Sequence, residues 1–318
     1  LFPYTTLFRS SYTSLDALRD AFGEPMAEFR AFLEARGFLV EPAARTAYRR
    51  TLLCLASRLN MDYPPAGLTD WNDRINRNAL ARLVRDSAAP ARLREAGYRI
   101  VNLSMLPLGP EPARYPLELA LCFPSVRERL LAHSVLAFRI PGFMGRRRKA
   151  GPEALARSLL QPFEDLEAVA VAPSDRPRLI VAHLMITHPP FVFDRAGGVH
   201  GFALPARLAE NRHYTEQLHF ATGRLMKTLE TILAQGSPPV VILQGDHGYR
   251  GMRAPSPART RQAASVLYAI RMPGLDVGRF RAHAQPVNTF RLVLNTLFDA
   301  GLPLLDWPES ASPDGGTD

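Results

Sequence analysis

The sequence predicts an α/β fold in which a mostly parallel sheet lies between two layers of helices. Helical spacing of apolar residues is clearest over 206–235, where the pattern ends at Gly236. Strands that alternate with helices favour a parallel sheet covered on both faces. Four apolar runs lack polar alternation, as expected for strands buried on both faces: 98–103, 178–186, 240–244 and 265–271.

The length allows one large α/β domain or two ordinary ones, and we assign a single domain over 11–307. The chain has 318 residues, of which 47% are hydrophobic, enough for a substantial core. Two further helices are predicted, over 15–36 ending before Gly37 and over 75–96 ending before Gly97. The polar tail 308–318 is predicted to be disordered.

The first ten residues, LFPYTTLFRS, raise a separate question. They can be written in codons that resemble a widely used short-read sequencing adapter, in frame over the whole stretch. A chance match of this length is improbable, and we therefore interpret 1–10 as an adapter artefact. On this interpretation the segment takes no part in the fold and the domain begins at Ser11.

The net charge of +9 raises the possibility of a nucleic-acid partner, and RRRK at 146–149 is its densest basic run. The arginines are otherwise spread along the chain, few aromatic residues interleave with them, and no recognition motif is present. We expect no nucleic-acid binding. A basic surface also suits anionic lipid or phosphate substrates. The two cysteines, Cys54 and Cys122, predict neither a disulfide framework nor a metal cluster.

The stretch VVILQGDHGYRG at 240–251 combines a buried strand with a polar end. Asp246 and His247 follow the strand directly, between two glycines that let the backbone turn. A carboxylate oxygen and an imidazole nitrogen at such a position suit a metal ion. An ordinary turn is the alternative, since Asp and Gly both favour turns.

A second polar end follows the run at 178–186. His188 comes after the strand and before two prolines that stiffen the loop, so it is a candidate for contacting an anion. His183 lies inside the strand, where a hydrogen-bonded core histidine is the ordinary interpretation.

The third stretch, TAYRRTLLCLASRLNMDY at 46–63, places Thr51 before an apolar helical run. A hydroxyl residue there is usually an N-cap. The same position suits a nucleophile, because the positive end of a helix stabilises an alkoxide and binds phosphate oxygens.

Together, GDHG, HPPFVFD, the Thr-headed helix and PVNTFRLVLNTLF at 286–298 resemble the sulfatase-like branch of the alkaline phosphatase superfamily. The likeness is greatest to bacterial membrane-anchored enzymes of the lipoteichoic-acid synthase and phosphoglycerol transferase type. It implies an alkaline phosphatase-like α/β/α sandwich outside the cytoplasm that acts on anionic lipid- or glycan-linked phosphoesters. It also implies a divalent ion (Mn, Mg, Zn or Ca) held by Thr51, Asp246 and His247, with Thr51 as nucleophile.

The resemblance assigns His188, with His183, to substrate binding. Arg50 stands where relatives carry other residues and is a further candidate anion contact. In this family an acidic residue ends the first strand, in a pattern such as Asp-Gly-Tyr, and Tyr12 matches that tyrosine. We therefore expect the first strand, one metal ligand and any membrane anchor to be missing, and the chain to be poorly stable and inactive.

Two alternatives remain open. Cys54 to Arg58, CLASR, fits the Cys-x-(Pro/Ala)-x-Arg pattern that sulfatases oxidise to formylglycine. A buried structural cysteine is the ordinary interpretation of that position. The other alternative is a degenerate family member without catalytic activity.

Overall fold

The computed structural model describes residues 4–9, 11–70, 72–116, 151–203, 209–235, 239–251 and 257–308. The basic run at 146–149, Cys122, Gly236 and the tail from 309 onward lie outside these ranges.

A mostly parallel sheet forms the centre of the molecule. Four strands run parallel in the order β7-β1-β4-β3, and β8 and then β2 extend the β7 edge through antiparallel pairing. The antiparallel hairpin β5-β6 stands apart from this sheet. The strands are β1 Tyr4–Arg9, β2 Leu39–Val40, β3 Arg99–Leu103, β4 Arg178–Leu184, β5 Phe191–Phe193, β6 Val199–Ala203, β7 Val240–Gly245 and β8 Tyr268–Arg271.

The strand β1 corrects the expectation that 1–10 take no part in the fold and that the first strand is missing. Its backbone pairs in parallel with β4 on one side, Tyr4 opposite Leu179, and with β7 on the other, Tyr4 opposite Val240. The physical reason is that backbone pairing does not depend on where a segment comes from. YTTLFR is rich in β-branched and aromatic residues, which favour an extended chain.

Helices cover both faces of the sheet. They are α1 Leu15–Phe22, α2 Ala27–Ala35, α3 Thr51–Asn60, α4 Arg74–Arg85, α5 Ala88–Glu95, α6 Pro152–Val171, α7 Ala209–Leu233, α8 Pro257–Ala264, α9 Val277–Ala282 and α10 Thr289–Phe298. Short 3-10 turns occur at Ala66–Leu68 and Pro286–Asn288.

Two of the predicted helices are each divided into two. The helix predicted over 15–36 breaks at Gly23, which ends α1 in the left-handed conformation with φ 68°, and Pro25 follows it. The helix predicted over 75–96 breaks between Arg85 and Ala88. The third helix, predicted over 206–235, matches α7.

Alternate residues of the strands belong to two separate apolar cores, as the two-residue period of a strand requires. One core packs on α1, α2, α6 and α7, and its residues from β4 and β7 are Ile180, Ala182, Leu184, Val241 and Leu243. The other packs on α3, α4, α5 and α10, and its residues from β4 and β7 are Leu179, Val181, Val240 and Ile242. The molecule is therefore an α/β/α sandwich. In the described ranges, none of the helices has the length and apolarity needed to cross a bilayer.

Candidate metal and catalytic site

The strand β7 ends in the GDHG segment, and packing explains both of its glycines. A Cβ on Gly245 would overlap the carbonyl oxygen of Tyr12, and one on Gly248 would overlap the carbonyls of Gln262 and Ser265. Neither glycine has a positive φ. The backbone does bend at Asp246 and His247, between the two glycines, and the glycines are needed there for close backbone approach.

Asp246 is completely buried and accepts hydrogen bonds on both carboxylate oxygens. The Thr51 hydroxyl donates to Oδ2 at 2.8 Å. The backbone N–H groups of Ser11 and His247 donate to Oδ1 at 3.2 and 2.7 Å. These bonds fix the carboxylate at the carboxyl edge of the sheet.

His247 presents one nitrogen to the same point. Its Nδ1 lies 2.8 Å from the carbonyl oxygen of Gly248, which places the ring proton on Nδ1. Its Nε2 lies 3.6 Å from Asp246 Oδ2 and, within the described part of the chain, is buried without a hydrogen-bond partner. A lone pair is thus directed into the site.

The two histidines of the second stretch lie beside this pair. His183, buried inside β4, has its Nε2 3.7 Å from Asp246 Oδ2, so it belongs to the site as well as to the core. His188 is half-buried, and its Nδ1 lies 2.6 Å from the carbonyl oxygen of Pro189. We refer to Thr51, His183, Asp246 and His247 as the buried centre.

The charges of the buried centre follow from its environment. Burial alone would raise the pKa of Asp246, but the imidazoles of His247 and His183 and the hydrogen bond from Thr51 outweigh it and lower the pKa to about 2. Burial lowers the pKa of His247 to about 4 and also lowers the pKa values of His183 and His188. At neutral pH the site therefore holds one carboxylate and neutral imidazoles.

Thr51 is the first residue of α3, and its side chain does not cap the helix. The N-cap residue is Arg50, which makes no side-chain capping bond. The hydroxyl of Thr51 instead turns toward Asp246. The N-cap interpretation of Thr51 is therefore wrong. Arg50 is half-buried at the same helix end, directly beside the candidate nucleophile.

Arg58 is a site residue that the sequence interpretation missed. Its guanidinium is buried and donates to the carbonyl oxygens of Gly245 and Asp246 at 2.6 and 2.9 Å. It thereby holds the backbone that carries Asp246. The sequence interpretation named Arg58 only as the arginine of the Cys-x-(Pro/Ala)-x-Arg pattern and gave it no role in this site.

Cys54 lies one turn inside α3 and is fully buried. Its thiol donates to the carbonyl oxygen of Tyr48 at 3.1 Å, and burial raises its pKa to about 12. This environment is that of a structural cysteine. The side chain of this helix that donates to the Asp246 carboxylate is that of Thr51.

The residues present fit a divalent ion. The buried centre carries the carboxylate of Asp246 and, within the described ranges, a buried imidazole nitrogen of His247 without a hydrogen-bond partner, and a cation would be bound by both. Ligands of a tetrahedral ion with bonds of about 2.1 Å stand roughly 3.4 Å apart, close to the 3.6 Å between His247 Nε2 and Asp246 Oδ2.

Ser11 occupies a position that favours glycine. Its φ is 60°, in the left-handed region that costs a residue with a Cβ about 1–2 kcal/mol. In the Asp-Gly-Tyr pattern ending at Tyr12, residue 11 is the glycine and residue 10 the acid. The backbone of Ser11 thus keeps the glycine conformation while the sequence carries serine.

Comparison with protein-family models gave no match, and comparison with curated proteins gave none either.

Several solved structures share the fold. The soluble domain of lipooligosaccharide phosphoethanolamine transferase A from Neisseria meningitidis is 14% identical with a TM-score of 0.53, covering 93% of this chain and 87% of that one. The C-terminal periplasmic domain of EcEptC from Escherichia coli, in complex with Zn, is 15% identical with a TM-score of 0.53, covering 99% and 87%. A sulfatase from a glycosaminoglycan-metabolism locus of Bacteroides thetaiotaomicron is 13% identical with a TM-score of 0.57, covering 98% and 75%.

These likenesses agree with the architecture described above and with the resemblance found in the motifs. This chain therefore shares the fold of the phosphoethanolamine transferase domain, of the EcEptC domain and of this sulfatase.

Proposed function

We propose that this fold carries a metal-dependent transferase or hydrolase of phosphate esters in which Thr51 is the nucleophile. The observation that supports this most is the 2.8 Å hydrogen bond from the Thr51 hydroxyl to buried Asp246 at the start of α3. It orients the oxygen of the nucleophile at the positive end of a helix, where a phosphate group also binds well.

The metal would be held by Asp246 and His247, with Thr51 beside them. Support comes from the lone pair of His247 Nε2, the charge of Asp246 and the zinc complex of the EcEptC domain. A bound divalent ion lowers the pKa of a neighbouring hydroxyl and polarises a phosphoryl oxygen.

The residues of the chain account for the remaining steps. The Thr51 oxygen attacks phosphorus, its proton passes to solvent, and the bond from phosphorus to the leaving-group oxygen breaks. The half-buried imidazole of His188 and the arginine at position 50 contact the transferred group. A water molecule or an acceptor hydroxyl then attacks the phosphothreonine and frees Thr51.

The substrate class we propose is an anionic phosphoester linked to a lipid or glycan, and the place of action is outside the cytoplasm. The transferase from N. meningitidis is named for a lipooligosaccharide, and the EcEptC domain is described as periplasmic. The basic composition of the chain, net charge +9, suits such a substrate. Anchoring to a membrane and the absence of nucleic-acid binding remain part of this proposal.

The test uses the double substitution Ser10→Asp and Ser11→Gly, which restores the acid and the glycine of the family pattern. We expect the chain as it stands to be inactive, and the restored chain to hydrolyse bis-p-nitrophenyl phosphate with Mn²⁺, Mg²⁺ or Zn²⁺. Thr51→Ala in the restored chain should lower kcat by at least about 10³-fold, and Thr51→Ser should retain activity.

Three outcomes would contradict parts of the proposal. Equal turnover by the restored chain and its Thr51→Ala variant would place the nucleophile elsewhere. A restored chain that is folded by circular dichroism but binds no divalent ion would favour a non-catalytic protein. Turnover of p-nitrophenyl sulfate together with oxidation of Cys54, read by mass spectrometry, would favour a sulfatase.

A further inference from the structure

A second group of metal-binding side chains lies on the β5-β6 hairpin and the helix that follows it. We call His200, His213 and Glu216 the hairpin cluster. His200 lies on β6, and the other two lie one helical turn apart on α7. One ligand atom from each residue lies within 4.8 Å of the other two.

The two histidines are arranged as metal-binding histidines are. His200 Nδ1 lies 2.7 Å from the carbonyl oxygen of Gly201, which leaves the lone pair on Nε2. His200 Nε2 and His213 Nδ1 are both buried nitrogens that have no hydrogen-bond partner in the described ranges. The ring centroids are 5.3 Å apart.

Glu216 supplies the third donor. Its Oε1 accepts a hydrogen bond from Arg212 Nε at 2.8 Å, while Oε2 faces His213 Nδ1 at 4.0 Å. The side chains of His213 and Glu216 are 33% and 21% exposed, so they can rotate to close the remaining distance to an ion. An ion here would keep a position open to solvent.

We infer that the hairpin cluster is a second metal site, selective for a borderline transition ion such as Zn²⁺. Two imidazoles and one carboxylate form a ligand set that zinc accepts, whereas Mg²⁺ and Ca²⁺ require oxygen ligands. The site is separate from the buried centre, because its residues lie on β6 and α7, whereas those of the buried centre lie on α3, on β4 and at the end of β7.

An ion in the hairpin cluster would link the hairpin β5-β6 to α7. The hairpin β5-β6 follows His188 in the chain, and α7 begins after it. An ion shared by β6 and α7 would fix the hairpin to the helix, and its binding free energy would stabilise the folded state.

The experiment measures Zn²⁺ binding by equilibrium dialysis in the chain carrying Asp246→Asn and His247→Gln, which disables the buried centre. We expect one Zn²⁺ per chain. Adding His213→Gln or His200→Gln should weaken Kd at least about 10-fold. The matched control is His219→Gln, which removes another α7 imidazole, one paired with Glu24 at 2.7 Å, and should leave Kd unchanged.

Absence of Zn²⁺ binding in that background would overturn the inference, and so would binding that the His200 and His213 substitutions leave intact or that His219→Gln weakens equally. If circular dichroism shows that the background variant is unfolded, the number of Zn²⁺ ions bound per chain is measured instead in the chain with an intact buried centre, with and without the substitutions in the hairpin cluster. A loss of one Zn²⁺ on His200→Gln/His213→Gln supports the site, and an unchanged stoichiometry excludes it. Co²⁺ absorption gives a second readout, because d–d bands of a tetrahedral ion should disappear in the same variants.

Discussion

The molecule places imidazoles beside a carboxylate in two different settings. In the buried centre, Asp246 and His247 are fully inaccessible and the carboxylate oxygens accept backbone and hydroxyl hydrogen bonds. In the hairpin cluster, His213 and Glu216 remain partly exposed and the carboxylate is shared with an arginine. Burial fixes the side chains of the buried centre and strengthens the electrostatic interactions between them. Exposure leaves the side chains of the hairpin cluster free to adjust and weakens their electrostatic interactions.

Acid titration of the metal-free chain tests how strongly burial perturbs the first site. We expect it to change the unfolding free energy more than any of the substitutions below. The pKa of His247 is about 4 in the folded state against 6.5 normally, and that of Asp246 about 2 against 3.8. The unfolded state therefore binds protons first as pH falls. We expect unfolding free energy to drop by about 3 kcal/mol between pH 6.5 and 4 and by about 2 kcal/mol more toward pH 2.

Urea unfolding at each pH measures this loss. His247→Gln has no ring to titrate and should flatten the upper part of the curve. A curve unchanged by His247→Gln would mean that other groups carry the acid sensitivity.

The next effect is on metal affinity, comparing Asp246→Asn with Glu216→Gln. The first removes the only charge of the buried centre and should weaken Zn²⁺ binding there by more than about 100-fold. The second removes a partly screened charge and should weaken the hairpin cluster by about 10-fold. Isothermal titration calorimetry on both variants gives the two values, and equal losses would show that burial does not distinguish the sites.

We expect Arg58→Met to lower the stability of the fold by a smaller amount. The substitution leaves the buried carbonyls of Gly245 and Asp246 without their donor and should destabilise the fold by about 2–3 kcal/mol. Arg19→Met is the control, since Arg19 is 55% exposed and pairs with the solvent-accessible carboxylates of Asp16 and Asp20, so the substitution should cost less than about 1 kcal/mol. Thermal unfolding compares them, and similar losses would argue against a structural role for Arg58.

The smallest effect concerns Ser11, whose N–H donates to Asp246. Ser11→Gly removes the strain of a left-handed serine and should stabilise the fold by about 1 kcal/mol. Ser174→Gly, at an exposed serine without a positive φ, should instead destabilise slightly. If both substitutions destabilise, residue 11 carries no strain.

Local patterns made the buried centre predictable. The strand β7 and the polar residues at its end are adjacent in sequence, so Asp246 and His247 could be proposed from one stretch. Thr51 could be proposed as well, because helix starts are marked locally. Its hydrogen bond to Asp246 could not, since the two residues are 195 positions apart.

Features that depend on contacts between elements distant in sequence could not be predicted. Arg58 was named only as part of the CLASR pattern, and its role as a donor to the backbone depends on β7 passing next to α3. The hairpin cluster depends on β6 packing near α7, which no periodicity encodes. The strand β1 was set aside on the origin of its codons, whereas its pairing depends only on an extended backbone with β-favouring residues.

The central position of β1 also constrains how the chain folds. Its neighbours on both sides are residues 178–184 and 240–245, so the first strand can be completed only after some 170 to 240 further residues are available. Such long-range parallel pairing slows folding relative to local contacts. During synthesis, the N-terminal segment must therefore wait unpaired until the strands that enclose it have emerged, which makes this step the point at which aggregation competes with folding.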